Sequence, residues 1–413
     1  MTPSAAIRTA LDTLLADSRI QKALQYLDDN HDQRIEETRE LVVLQGAPFC
    51  EGELRSPYYR KKLEAIGLEN CVVDKHDNAF GAVRGSIGGR AIFLEAHLDT
   101  VFPKDTPLEI VEKDGRLYCP GISDDTSCLA VVLSVARAIK HAGLEPVHTL
   151  FLGGSSGEEG EGDLRGVKGF IADHPDIAAH LPMEPGPKGL ITKGGLGSKR
   201  YEFTFTAKGG HSWSAFGLPS PIHAMCRAVA KMADVPVPEN PRTSYTVGTI
   251  TGGTSVNSIP FNASCKLDMR SLSAEALADL EKTMLDLVRE AVEEENALRA
   301  ASGDKVAVEI KLIGDRPAGD QSNDAPIVQA ISAIFESMNI SPNIGPARST
   351  NANVAINKGI PAVVVRAGYE SGNHHNLEEW FKPEGGNIGS RTALLMLFLL
   401  GGLNGVTDPL PLQ

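Results

Sequence analysis

The chain has 413 residues, of which 53 are Asp or Glu and 40 Lys or Arg, for a formal charge of −13. That length exceeds one ordinary hydrophobic core and predicts two or three domains, while the acidic balance excludes a nucleic-acid surface, which needs clustered Lys and Arg against phosphates. No apolar run approaches the roughly 20 residues of a membrane-spanning helix, and the six cysteines show no C-x-x-C spacing, so neither a zinc knuckle nor a disulfide scaffold is expected.

In chain order, Met1-Thr2-Pro3-Ser4 lacks the basic start and apolar stretch of a signal peptide, which makes a cytoplasmic location the default expectation. Residues 5–45 carry Ile7, Leu11, Leu14 and Leu15, then Ala23, Leu24, Tyr26 and Leu27, at helical spacing, with acids opposite. A second amphipathic helix is predicted at 57–68, a strand at 71–74 and a turn at Asp77-Asn78. From residue 91 apolar strands (91–96, 148–154, 178–183, 361–366) alternate with helices (126–142, 165–173, 325–338, 387–402). Such alternation implies a largely parallel sheet covered on both faces.

Between about 199 and 313 the pattern changes to strand, helix, strand, strand, helix, strand: 200–207, 221–232, 245–250, 263–270, 274–299 and 305–312. That is the split βαβ order of a ferredoxin-like domain. The predicted organisation is therefore a catalytic α/β domain in two parts, 1–197 and 315–413, with an inserted α+β lid or dimerisation domain at 198–314. Glycines cluster at both crossings, 194–197 and 314–319.

The ends of the predicted strands carry the chemistry. In an open parallel sheet the site lies beyond the carboxyl ends of the strands. Here those ends bear His97 and Asp99, the loop pair Asp124-Asp125, Glu158-Glu159, Glu184, and His374-His375. A lone surface carboxylate is ordinarily a solvated charge and a lone histidine a structural residue, but five sets at equivalent ends of one sheet suit a metal. Residues 97 and 99 lie on one side of an extended chain, so His97 can face an ion while Asp99 orients it. Two histidines and three carboxylates suit zinc, cobalt or manganese, with oxygens enough for one group to bridge two ions.

Six segments taken together resemble the dinuclear-zinc exopeptidase and deacylase family of acetylornithine deacetylase, succinyl-diaminopimelate desuccinylase, glutamate carboxypeptidase, aminoacylase and peptidase T. They are His97-Leu98-Asp99-Thr100-Val101-Phe102-Pro103, Gly121-Ile122-Ser123-Asp124-Asp125, Gly157-Glu158-Glu159-Gly160, Met183-Glu184-Pro185, Gly209-Gly210-His211-Ser212 and His375-Asn376-Leu377-Glu378-Glu379-Trp380. The resemblance runs from about residue 40 to 400. It implies that His97, Asp124 and Glu184 hold one Zn2+ and that Asp124, Glu159 and His375 hold the other, with Asp124 bridging. It implies Glu158 as general base and Asp99 as orienter of His97. His375 takes precedence over His374 because it stands four residues before Glu379, the family spacing.

In the inserted domain the resemblance implies that His211 reaches a partner subunit's site and supports the oxyanion, that Asn257 donates to substrate, and that Arg270 grips a substrate carboxylate. A homodimer through the lid follows. Two departures bear on subfamily and substrate: Asp125-Thr126-Ser127-Cys128 stands where Lys-Gly is usual after the bridging Asp, and Asn351 replaces an acidic residue. The expected activity is amide hydrolysis of a small molecule, by an N-acyl-amino-acid deacylase or carboxypeptidase. The alternatives are an aminopeptidase or dipeptidase of the peptidase T type and a non-catalytic binding protein on the same fold.

Overall fold

The Ala91–His97 strand is buried at every residue, as expected of a strand covered on both sides. Its alternate side chains feed two cores: Ile92, Leu94 and Ala96 enter one and Ala91 and Phe93 the other. It lies between Thr149–Ser155 and Ile177–Pro187, parallel to both, and Val365–Gly368 pairs in parallel with the latter. The hairpin Glu69–Val73 and Ala79–Val83 adds antiparallel to Thr149–Ser155 and completes a six-stranded sheet. The computed structural model describes residues 3–385 and 387–412.

Helices Cys128–Ala142 and Asn387–Gly401 cover one face and are apolar nearly all round, as buried helices must be. Gly143, at φ 63°, closes the first of them in the left-handed region. Arg165–Asp173 and Ala352–Asn357 supply the second core with Phe170, Val167 and Val354. At the N-terminus, Ala5–Ala16 and Ser18–Asp29 are capped by Ser4 and Asp17, whose side chains accept from the amides of Ile7 and of Arg19 and Ile20.

These elements form one compact unit, Met1–Gly195 with Asp320–Gln413; the other unit is Leu196–Gly319. In the second unit the sheet order is Thr243–Gly252, Asn262–Ser271, Gly197–Thr206, Ala307–Arg316, antiparallel throughout. Tyr201, Phe203, Phe205, Ala263, Cys265, Leu267 and Met269 point inward at alternate positions against helices Pro221–Ala233 and Ala274–Leu298. The strand placed at 305–312 runs on to Arg316, paired with Ser198, so a domain change at 314–315 would cut a ladder; the chain leaves this unit at Gly319.

Two other expectations shift. The strand placed at 361–366 begins as a ladder only at Val365. Ahead of it the Gln321 side chain binds both the amide and the carbonyl of Ala362, taking the groups a neighbouring strand would use. The helix placed at 126–142 is preceded by a kinked turn, Ile122–Ser127, in which Asp124 and Asp125 depart from helical geometry. Among the described residues, no helix is long and apolar enough to cross a membrane.

Candidate metal centre

His97 closes its strand directly beside Ser155 on the next. Its ring is 2% exposed, and Nδ1 lies 2.9 Å from the Asp99 carbonyl oxygen. A carbonyl only accepts, so Nδ1 carries the proton and Nε2 is left as the ligand atom. The His97 amide donates to Asp125 Oδ2 at 2.9 Å. Arg55, wholly enclosed, donates to the Leu98 carbonyl at 2.8 Å and so fixes the turn from the other side.

Asp99 does more than orient an imidazole. Its carboxylate accepts from the consecutive amides of Glu158 at 2.9 Å and Glu159 at 2.7 Å, while its Oδ1 is 3.7 Å from His97 Nδ1. The orientation of His97 thus comes from the Asp99 backbone, and the side chain clamps the Glu158-Glu159 turn.

Asp124 stands between two imidazoles. Its Oδ1 is 3.0 Å from His97 Nε2 and its Oδ2 is 3.5 Å from His375 Nε2. Glu159 Oε1 lies 2.8 Å from the same His375 nitrogen. His374 Nε2 lies 3.0 Å from Ser371 Oγ and 3.4 Å from Ser123 Oγ, beside the Asp124 turn. Ligand-type atoms gather within 4.8 Å of one another in three groups: His97 with Asp124 and Asp125, His97 with Glu158 and Glu159, and Asp124 with Glu159 and His375. Glu184 belongs to none of these groups. It sits on the next strand opposite Arg366, 4.0 Å from that guanidinium, and senses the charges of Asp124 and His97.

Burial would raise Asp124, yet hydrogen bonds with His375 and His97 hold it far below the usual carboxylate range. Burial would lower His97, but Asp125, Asp124 and Asp99 raise it well above its ordinary value. His375 is lifted to about 10 by its hydrogen bonds to Asp124 and Glu159. Burial pushes Glu184 up to about 7, helped by Asp124, and pushes Glu379 up to about 7 as well. Asp125 Oδ1 and Glu379 Oε2, both buried, have no hydrogen-bond partner among the described residues. Opposed imidazoles and carboxylates with surplus buried negative charge fit a pair of divalent ions.

Sequence reading gave Arg55 no role and named Asp125 and Glu379 only as part of the Asp124-Asp125 pair and of the His375 segment. Arg55 lies just ahead of the helix predicted at 57–68 and belongs to no motif. The four-stranded sheet of Val111–Lys113, Arg116–Tyr118, Trp380–Phe381 and Ser371–Gly372 was not foreseen either, its strands being too short to show a period. It docks the His375 loop beside the Asp124 loop.

In the second unit His211 is exposed on a two-residue ladder, with Gly210 opposite Ile259 and itself opposite Ser258. The Trp213 amide donates to its Nδ1 at 3.1 Å, which leaves the proton on Nε2. The Ser212 amide donates to the Asn257 carbonyl at 3.0 Å, tying the His211 turn to the Asn257 loop. Arg270 is elsewhere. It lies near the far end of Asn262–Ser271, about 27 Å along the strand from Asn262, and its Nε donates to Asp268 Oδ2 at 2.7 Å. Asn257 lies in the loop by the His211 turn, and Arg270 near the opposite end of its strand from Asn262.

Residues 93–398 match peptidase family M20/M25/M40. Carboxypeptidase G2 of Pseudomonas sp. (strain RS-16) is 28% identical over 203 residues, 47% of this chain and 47% of that protein, so the match spans about half of its length. Among solved structures, a tripeptidase from Staphylococcus aureus subsp. aureus Mu50 superposes with a TM-score of 0.71 at 20% identity, covering 89% of this chain and 98% of that one. The aminopeptidase PepT of Bacillus cereus ATCC 10987 gives 0.70 at 20% identity, with the same coverage. The YxeP protein of Bacillus subtilis, a dinuclear metal-binding peptidase, gives 0.64 at 16% identity over 91% of this chain and 99% of that one.

Proposed function

The chain belongs to peptidase family M20/M25/M40, and on that premise we propose that it is a two-metal hydrolase cleaving an amide bond beside a free carboxylate, in an N-acyl amino acid or at the C-terminus of a short peptide. The observation that carries this reading is Asp124, which turns one oxygen toward His97 and the other toward His375. On this reading His97, Asp124 and Glu184 hold one ion and Asp124, Glu159 and His375 the other. Zn2+ is the proposed metal, with Co2+ or Mn2+ as possible substitutes. Bound there, the ions would polarise the scissile carbonyl and lower the pKa of a nearby water.

The chain's own residues do the rest. Glu158 accepts the proton of the attacking water and returns it to the leaving amine. Asp99, through the two amides it accepts, keeps Glu158 turned to the reaction and Glu159 turned to the metal. His211 donates from Nε2 to the oxyanion that develops in a second copy's site. Asn257, tied to the His211 turn through the Ser212 amide, accompanies His211 as a donor to substrate, and Arg270 is the group that grips the substrate carboxylate.

A second reading, an aminopeptidase of the peptidase T type, is favoured by one observation: Asp268 already pairs with Arg270 and competes with a substrate carboxylate for that guanidinium. The test compares N-acyl amino acids with their amides on protein reconstituted with Zn2+, Co2+ or Mn2+. A lost charged hydrogen bond is worth on the order of 2–4 kcal/mol, so the acid should be preferred by about 30- to 1,000-fold in kcat/KM, and Arg270→Ala should shrink that preference. Equal rates on acid and amide, with a strict demand for a free α-amino group, would move the assignment to the aminopeptidase.

A further inference from the structure

Asp124 can face two imidazoles only if its backbone is held, and the local chain does not hold it. Ile122–Ser127 is entered through Gly121 at φ 72° and kinks out of helical geometry at Asp124 and Asp125. Amides at the start of a helical turn have no carbonyl behind them within the element. Those of Ser123 and Asp124 are nevertheless satisfied, by one atom 255 residues away from Asp124: Glu379 Oε1 accepts from Ser123 at 2.8 Å and from Asp124 at 2.9 Å. The Glu379 side chain is fully enclosed.

The same residue is anchored by its own backbone on the ligand-bearing segment. Its amide donates to the Asn376 carbonyl at 3.0 Å, closing the turn that follows His375, and its carbonyl accepts from the Cys119 amide at 3.0 Å. Trp380 then pairs with Tyr118 and Phe381 with Leu117. One residue thus joins the loop that carries His375 to the loop that carries Asp124, through main chain on one side and side chain on the other.

From this geometry we propose that Glu379 is the positioning residue of the centre, an acceptor that presets the Asp124 backbone and fixes its distance from His375. The inference rests on the reading of Asp124 and His375 as ligands. It concerns hydrogen-bond acceptance at a fixed reach, not charge. Glu379→Gln keeps an oxygen acceptor at the same reach. Glu379→Asp keeps the charge but withdraws the acceptor by one methylene.

The test is Zn2+ titration of the metal-free variants, with the visible spectrum of the Co2+-loaded proteins as a direct view of ligand geometry. Glu379→Gln should keep near-native Zn2+ affinity and an unchanged Co2+ spectrum. Glu379→Asp should lose about 10- to 100-fold in affinity for the more weakly held ion, with an altered spectrum. The reverse order, or two indistinguishable variants, overturns the proposal. Hydrogen exchange on the native chain without metal supplies an arm that needs no variant. Residues 119–127 should be protected there, and rapid exchange across them overturns preorganisation by Glu379. If the native chain takes up no Zn2+, the metal-centre reading falls and this inference with it. If the native chain binds two ions and the variants fail to separate, only the role of Glu379 falls.

Discussion

At the scale of single residues, the site separates groups that touch the reaction from groups that hold them. Glu158 and Asp99 illustrate the split, since both are buried acids but only Glu158 is assigned to proton transfer. Glu158→Gln should leave metal content unchanged and lower kcat by about 10²- to 10⁴-fold, the usual worth of a general base; near-normal turnover would assign the base elsewhere. Asp99→Asn should behave differently. Its carboxamide has one acceptor where two amides need one each, and its NH2 would face a donor. A buried amide left unsatisfied costs about 1–3 kcal/mol, so thermal unfolding should come earlier. Metal at His97 should persist, because that ring is oriented by the Asp99 carbonyl. Elemental analysis and melting curves on the two variants check both outcomes.

At the scale of elements, strand ends meet beneath the centre in a buried polar cluster. Glu95, two residues before His97, accepts from Ser155 Oγ at 2.6 Å and from the Asn351 carboxamide at 3.2 Å, with His180 Nε2 at 3.0 Å. A neutral Asn351 suits this place: Glu95 already puts a carboxylate there, and two buried carboxylates would repel. Asn351→Asp should therefore destabilise the protein, and adding Glu95→Gln should restore much of the loss. A double-mutant cycle should give an interaction energy of about 1–3 kcal/mol. Additive effects in that cycle would mean the two side chains do not share a charge.

At the scale of the whole molecule, protons and the proposed metal compete for the same imidazoles and so act on one folding equilibrium. Without metal, His97 and His375 hold protons more tightly than they would unfolded. The stability this contributes is fully present below an unfolded histidine pKa of about 6.5. For His375 it is lost as pH rises through about 10. Metal needs both rings deprotonated, so the rise in melting temperature produced by Zn2+ should be larger at pH 9 than at pH 6; an increment that is flat or falls with pH would contradict this. The proposed exchange of His211 between copies predicts complementation: mixing His211→Ala with Glu158→Gln chains should recover part of the lost activity in heterodimers, and a fully active monomer in sedimentation would rule the exchange out. By itself the sequence determined the α/β alternation, the split βαβ order of the insertion and the ligand-type residues, because these are local signals of period, turn chemistry and residue type at strand ends. Only the tertiary structure decided that the Asp99 carboxylate clamps an amide pair and that Glu379 reaches across to Ser123 and Asp124. Each of these depends on where a loop lands in space, and no period or motif in the local chain encodes a contact between segments 60 or 255 residues apart.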